Sequence, residues 1–231
     1  MQRRIVITGV NRGLGRELAR VLAERGHRVW GTSRNGEAPG GLEACVALDV
    51  RDDASIRAAV REISGETDGI DLLINSAGAD ARSFGAPEEG RGPFDVDAAM
   101  FNAVFDVNAT GPMLVTKHLL PLLQAGSDSM IVNISSQLGS MQVAARKGRD
   151  TAYCVSKAAL NMLSVKSAEA LRGDKIGVVM LHPGWLTTDM GGPGAQLDLA
   201  DTSQTIASTI ETLGFADTGR FVRWDGHDHP W

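Results

Sequence analysis

The chain has 231 residues, 43% of them hydrophobic, and a formal net charge of −5 at pH 7. That length suits one α/β unit with a sizeable core, and the acidic balance, without a long Lys/Arg run, argues against a nucleic-acid surface, which needs clustered cations. No apolar stretch is long enough to span a bilayer, Met1–Val10 lacks the marks of a signal peptide, and the two distant cysteines, Cys45 and Cys154, suggest neither a metal pair nor a disulfide framework, so the expected location is cytoplasmic.

Short β-rich runs alternate with longer helical ones. The pattern predicts a strand over Arg3–Thr8, a helix over Gly13–Arg25, and strands at Arg28–Thr32 and Ala44–Leu48. A helix follows from about Ala54 to Ile63, then a strand at Leu72–Asn75 and a long helix over roughly Ala98 to Leu123, bent at Gly111-Pro112. The remainder reads as strand Met130–Ser135, helix Thr151–Leu171, strand Gly177–His182, helix Ser203–Leu213 and strand Arg220–Arg223. Such alternation implies parallel strands joined by right-handed crossovers. Runs such as Ile5-Val6-Ile7 and Leu72-Leu73-Ile74 are apolar without alternation, as expected of strands covered on both faces. Residues 1–231 are expected to form one domain.

Thr8-Gly9-Val10-Asn11-Arg12-Gly13-Leu14-Gly15 leaves the first strand and opens the first helix. Glycines let backbone approach a pyrophosphate, and the helix N-terminus offers free N–H groups. The second strand ends in Gly31-Thr32-Ser33-Arg34, without the acid that usually holds an NAD ribose. Arg34, helped by Arg12, suits a 2′-phosphate, so NADP(H) is expected over NAD(H). Tyr153 and Lys157 stand four residues apart, on one helix face. Tyr153 is the chain's single tyrosine, and a nearby lysine cation is expected to lower its pKa and fit it for proton transfer. Ser135 and Ser136, at a strand exit, are expected to divide a substrate-holding role and a turn-capping role between them.

These residues resemble the short-chain dehydrogenase/reductase family over essentially the whole chain. The glycine loop has that family's spacing, and Asn75-Ser76-Ala77-Gly78 is similar to its Asn-Asn-Ala-Gly motif, with Ser76 the departure. The resemblance implies catalytic roles for Asn108, Ser136, Tyr153 and Lys157. It implies cofactor contacts at Gly9, Asn11, Arg12, Gly13, Leu14, Gly15, Ser33, Arg34, Asp49, Val50, Asn75, Ala77, Gly78, Tyr153, Lys157, Pro183, Gly184 and Thr188. It further implies a seven-stranded doubly wound Rossmann sheet in the order 3-2-1-4-5-6-7 with helices on both faces, and a homodimer or homotetramer. Ser135–Ser140, Ser156–Asn161, His182–Trp185 and the ending Gly219–Trp231 are similar to the C-factor and sniffer-type carbonyl reductases.

The expected activity is hydride transfer between NADPH and a small carbonyl or alcohol. A catalytically weak regulatory or signalling protein of the same fold is the alternative, and a sugar-nucleotide epimerase fits less well because only some forty residues follow the nicotinamide segment. Arg146-Lys147-Gly148-Arg149 reads as a surface insertion, His182 as a packing or loop residue, Trp185 as a substrate wall, and Trp224 and Trp231 as C-terminal packing or a subunit contact. The tail histidines His227 and His229 match no metal-ligand spacing, and no metal is expected.

Overall fold

The computed structural model describes every residue except 1, 39, 88, 90 and 147, so Lys147 of the basic insertion lies outside the described residues. In chain order the elements are β1 (Arg4–Thr8), α1 (Gly13–Glu24), β2 (Arg28–Ser33), β3 (Ala44–Ala47), α2 (Asp53–Ser64), β4 (Leu72–Asn75), α3 (Ala98–Phe105) and α4 (Gly111–Gln124). They continue as β5 (Met130–Ile134), α5 (Met141–Ala144), α6 (Thr151–Ala170), β6 (Gly177–His182), α7 (Leu199–Thr212) and β7 (Phe221–Arg223). The strands form one parallel sheet in the order β3-β2-β1-β4-β5-β6-β7. This is the expected doubly wound α/β fold. The order reverses between β1 and β4, and that switch point opens a crevice at the strands' C-terminal ends.

Successive residues of a strand face opposite sides of the sheet. Ile5 and Ile7 of β1 pack with Leu18, Leu22 and Ile206 under α1 and α7. Val6, between them, packs with Trp30, Ile56, Leu73 and Leu119 under α2 and α4. Both faces are therefore core, which accounts for the unbroken apolar strands.

Two helices depart from expectation. The stretch from Ala98 is interrupted by a π-helical turn at Asp106–Thr110, so the irregularity lies one turn before Gly111-Pro112. Gly111 N donates to Asp106 O, and a Cβ at Gly111 would stand 2.9 Å from Val50 O and Val50 Cβ. Helix and Val50 approach too closely for any side chain there. The last long helix starts at Leu199, not Ser203, because Asp198 caps it by accepting from Asp201 N at 3.0 Å. Short helical turns also occupy Ala81–Phe84, Gln137–Gly139 and Phe215–Asp217, where no element was predicted.

At the opposite end of the sheet, Asp71 ties three strands together. Its carboxylate accepts from Arg4 N (2.8 Å), Arg4 Nη2 (2.9 Å) and Ser127 N (2.8 Å). Burial favours the neutral acid, but these donors outweigh it and hold the carboxyl below the usual range. A depressed pKa contributes stability that is present above the unfolded value near 4 and is lost as pH falls through the folded value. Asp71→Asn is therefore expected to cost about 2 kcal/mol in denaturant unfolding at neutral pH. Its deficit should shrink under acid; equal wild-type and variant stabilities at neutral pH would contradict this role.

Candidate active site

The glycine loop lies where β1 meets the crevice. Gly9 has φ +78, and a Cβ there would come 2.8 Å from Ala77 Cα. A Cβ at Gly15 would fall 2.3 Å from Gly9 O. Gly13, at φ +57, opens α1 and meets only Thr188 Cγ2 at 3.9 Å. Thr8 Oγ1 accepts from Ser76 N (3.0 Å) and Ala77 N (3.1 Å), clamping the Asn75–Gly78 segment against the loop. The first turn of α1 has no side-chain cap, and its N-cap, Arg12, is extended and exposed beside Asn11. Such a glycine cradle with open amides suits a pyrophosphate.

The flanking residues are placed less uniformly. Arg34 is exposed beyond the end of β2. It acts on Asp49, whose carboxyl is held low chiefly by hydrogen bonds from Arg51 and also by the Arg34 charge. Arg12 Nη1 lies 3.4 Å from Asp189 Oδ2, bridging the glycine loop to the loop after β6. Ser33 does not open to the crevice as expected: its buried hydroxyl donates to Glu37 O (2.8 Å) and Asn35 Oδ1 (3.1 Å), holding the next turn. The Asn75 side chain is likewise buried, its Nδ2 donating to Asn133 Oδ1 (2.8 Å) and Thr116 Oγ1 (3.3 Å). Val50 is buried against Gly111. Gly184 has φ +86, and a Cβ there would strike Leu197 Cδ1 at 2.3 Å. Thr188 Oγ1 accepts from Gly191 N (3.0 Å).

Tyr153, Lys157, Ser136 and Asn108 come together at the crevice floor. Lys157 Nζ is buried, donates to Ile134 O (2.7 Å) and lies 5.7 Å from the Tyr153 ring centre. Ser136 hydrogen-bonds the Tyr153 phenol and also caps the 137–139 turn by accepting from Leu138 N (3.1 Å). Ser136 thus takes the expected turn-capping role and also reaches the phenol, while Ser135 Oγ donates to buried Asn161 Oδ1 (2.6 Å). The π turn carries Asn108 inward, where Nδ2 donates to Ala79 O (2.7 Å) and Ser156 Oγ (3.0 Å), and Oδ1 accepts from Ala79 N (2.9 Å). A Cβ at Gly78 would lie 3.5 Å from Asn108 Oδ1 and 3.9 Å from Lys157 Nζ, so Gly78 leaves room where these groups converge.

The electrostatics correct one expectation. Burial pushes the Tyr153 phenol up to about 12; the Ser136 hydrogen bond opposes this, and Asp80, Cys154 and Asp150 add to it. Burial outweighs the lysine: it also brings the Lys157 ammonium down to about 8, and Nζ donates to the Ile134 carbonyl rather than to the phenol. A phenol raised in this way keeps its proton at neutral pH.

A cleft of about 340 Å³ is lined by Gln137, the residue after Ser136, with His182, Trp185, Gln196, Trp224 and His229. Trp185 and Trp224 both line this cleft; the sequence suggested packing or a subunit contact for Trp224. His182 is buried, falls to about 4 through burial and packs edge-on to His229, with ring centres 5.1 Å apart. Among the described residues no group of three or more His, Cys, Asp or Glu is arranged to hold a metal ion, and no helix is long and apolar enough to cross a membrane. Sequence reasoning missed three arginines: Arg51 on Asp49, Arg82 on Asp80 and Met190 O, and Arg91 on Asp150. Their partners are set by the fold, and only Arg51 and Arg82 have theirs close by in sequence.

The family model for short chain dehydrogenases matches residues 3–196. The chain belongs to the short-chain dehydrogenase family, whose members are oxidoreductases. It is similar to the C-signal protein of Myxococcus xanthus, 37% identical over 162 residues that cover 70% of this chain and 93% of that protein. It is also similar to the NADPH-dependent pterin aldehyde reductase of Arabidopsis thaliana, 32% identical over 198 residues, 81% of this chain and 76% of the other. Among solved structures, the carbonyl reductase Sniffer of D. melanogaster superposes with a TM-score of 0.90 at 31% identity, covering all of both chains. The NADPH-bound carbonyl reductase from chicken fatty liver gives 0.88 at 28% identity, covering 100% of this chain and 99% of that one.

Proposed function

We propose that this chain is an NADP(H)-dependent oxidoreductase of the carbonyl reductase type, with Tyr153 as proton donor in reduction and acceptor in alcohol oxidation. The observation that carries the reading is the convergence of Tyr153 with Ser136, Lys157 and Asn108 beside the glycine cradle. The cradle fits a dinucleotide, since any Cβ at Gly9 or Gly15 would close it. The backbone at Gly9, Asn11, Gly13, Leu14 and Gly15 would hold the pyrophosphate, Arg12 and Arg34 the 2′-phosphate, and Asp49 and Val50 the adenine. Ala77, Gly78, Pro183, Gly184 and Thr188 would border the nicotinamide, and Ser33 and Asn75 would act through the turn and strand end that their side chains brace. When bound, NADPH supplies the hydride.

Ser136 and Tyr153 then hold the substrate oxygen. As the carbonyl carbon is reduced, the developing alkoxide takes the Tyr153 phenolic proton. Lys157 lies beside the ring to stabilise the phenolate left behind, and Asn108 fixes the backbone at Ala79 and the Ser156 hydroxyl next to it. The reading takes residues 1–231 as one catalytic unit working as a cytoplasmic homo-oligomer. It is tested by NADPH consumption with a panel of aldehydes, ketones and diketones, run beside NADH. Turnover that prefers NADPH supports it. Tight NADPH binding with no turnover across the panel would favour the regulatory alternative, which the similarity to C-signal keeps in view.

Arg34 carries the cofactor preference. Arg34→Ala is expected to weaken NADPH binding by about tenfold or more, the usual worth of a charge-assisted phosphate contact, while leaving NADH unchanged. Equal losses for the two dinucleotides would remove Arg34 from this role.

A further inference from the structure

Helix α6 begins in an unusual way. Its N-cap, Asp150, is left-handed at φ 57 and caps nothing with its side chain. The carboxylate turns instead to Arg91, whose Nε donates to Asp150 Oδ1 at 2.6 Å. Arg91 O accepts from Thr151 N at 3.0 Å, taking an amide at the helix start that an N-cap side chain would otherwise serve. Arg91 is itself buried, and its Nη1 donates to Pro87 O at 3.2 Å. A Cβ at Gly92 would stand 3.2 Å from Gly148 O, so the strand-exit loop and the basic insertion before α6 are pressed together here. Ala152 packs with Ala81 and Val104 beneath them.

We infer that Arg91 is a positioning residue for Tyr153: its carbonyl and guanidinium hold the start of α6, and its charge neutralises Asp150 three residues before the phenol. The inference rests on Tyr153 as the proton-transfer group of the proposed reaction. Ser136 hydrogen-bonds the phenol, Lys157 lies beside its ring, and Asp80, Cys154 and Asp150 are near enough for their charges to act on it. Two of them are carboxylates that disfavour the phenolate, and each is covered by an arginine of the loop after β4: Asp80 by Arg82 at 2.7 Å and Asp150 by Arg91. Uncovering Asp150 makes the phenolate harder to form, and removing the Asp150 carboxylate makes it easier.

The chain's single tyrosine makes this measurable without catalysis. The full chain carrying fluorotyrosine gives one fluorine NMR line, and its pH titration reads the ionisation midpoint of Tyr153 alone. Arg91→Gln is expected to raise the midpoint by about half a unit or more, and Asp150→Asn to lower it by a similar amount. The Arg91→Gln/Asp150→Asn double variant, with neither charge, should fall between the two single variants, back toward wild type, and Arg91→Lys should stay near it. A merely structural role would not be restored by losing both partners. If Arg91→Gln does not fold, Asp150→Asn alone decides. Single variants that leave the midpoint unmoved, or move it in the same direction, would overturn the inference. Failure of the reductase reading shows itself separately, as undiminished turnover in Tyr153→Phe, and leaves this titration intact.

Discussion

Tyr153→Phe is expected to lose at most the phenol's own contact in NADPH binding and to retain between about a hundredth and a ten-thousandth of wild-type turnover, the range set by loss of a general acid. The substitution keeps the ring and its packing and removes the hydroxyl. With no second tyrosine in the chain, no other phenol can replace it. Lys157 cannot substitute, because its Nζ is buried and bonded to the Ile134 carbonyl. The raised pKa also sets the direction of the pH dependence. Reduction draws on a phenol that stays protonated up to about 12, so the availability of its proton does not limit the neutral range. Alcohol oxidation needs the phenolate, so its rate should climb with pH for as long as the protein stays folded. Full turnover by Tyr153→Phe would remove the tyrosine from the mechanism.

Gly15→Ala should abolish cofactor binding by a different route. The new Cβ would lie 2.3 Å from Gly9 O, and real side chains do not approach backbone so closely. Gly9 cannot retreat, since its own Cα direction is blocked by Ala77 and Thr8 clamps that neighbour from behind. The loop must open and the cradle is lost with it. NADPH affinity is expected to fall by at least about a hundredfold, equivalent to roughly 3 kcal/mol, with a stability loss of about 1–3 kcal/mol from overpacking. Gly26→Ala is the matching control: it has φ +87 but nothing within 4 Å of a Cβ. It should cost stability through backbone strain alone and leave NADPH binding as it was, in fluorescence titration beside thermal unfolding. A Gly15→Ala protein that binds NADPH normally would show that the loop is not the cradle described here.

What was legible in the sequence is what is local in it. Alternating apolar runs fix strands and helices, and the strands' unbroken hydrophobicity announces a sheet covered on both faces. Gly9, Gly13 and Gly15 stand within one turn, and Tyr153 and Lys157 within another, so spacing alone brings each set together. The rest depends on contacts between distant residues. The π turn that carries Asn108 inward runs into Gly111, which lies close against Val50, some sixty residues earlier. Asn75 and Ser33 sit beside the crevice in sequence, yet their side chains are drawn inward by Asn133, Thr116 and Glu37. The Tyr153 pKa went the opposite way from expectation because burial is a property of the packed chain, and it outweighs a lysine that has found another partner.

Transfer of label from NADPH deuterated at the nicotinamide C4 tests the central claim most directly. Wild-type protein is incubated with the labelled cofactor and a reactive aldehyde or ketone, and the alcohol is analysed by mass spectrometry. The account predicts deuterium on the former carbonyl carbon, delivered from one face of the nicotinamide only. Its hydroxyl proton should come from solvent, through Tyr153. NADPH that is bound and recovered unchanged, with no labelled alcohol from any carbonyl tried, would contradict the reductase function.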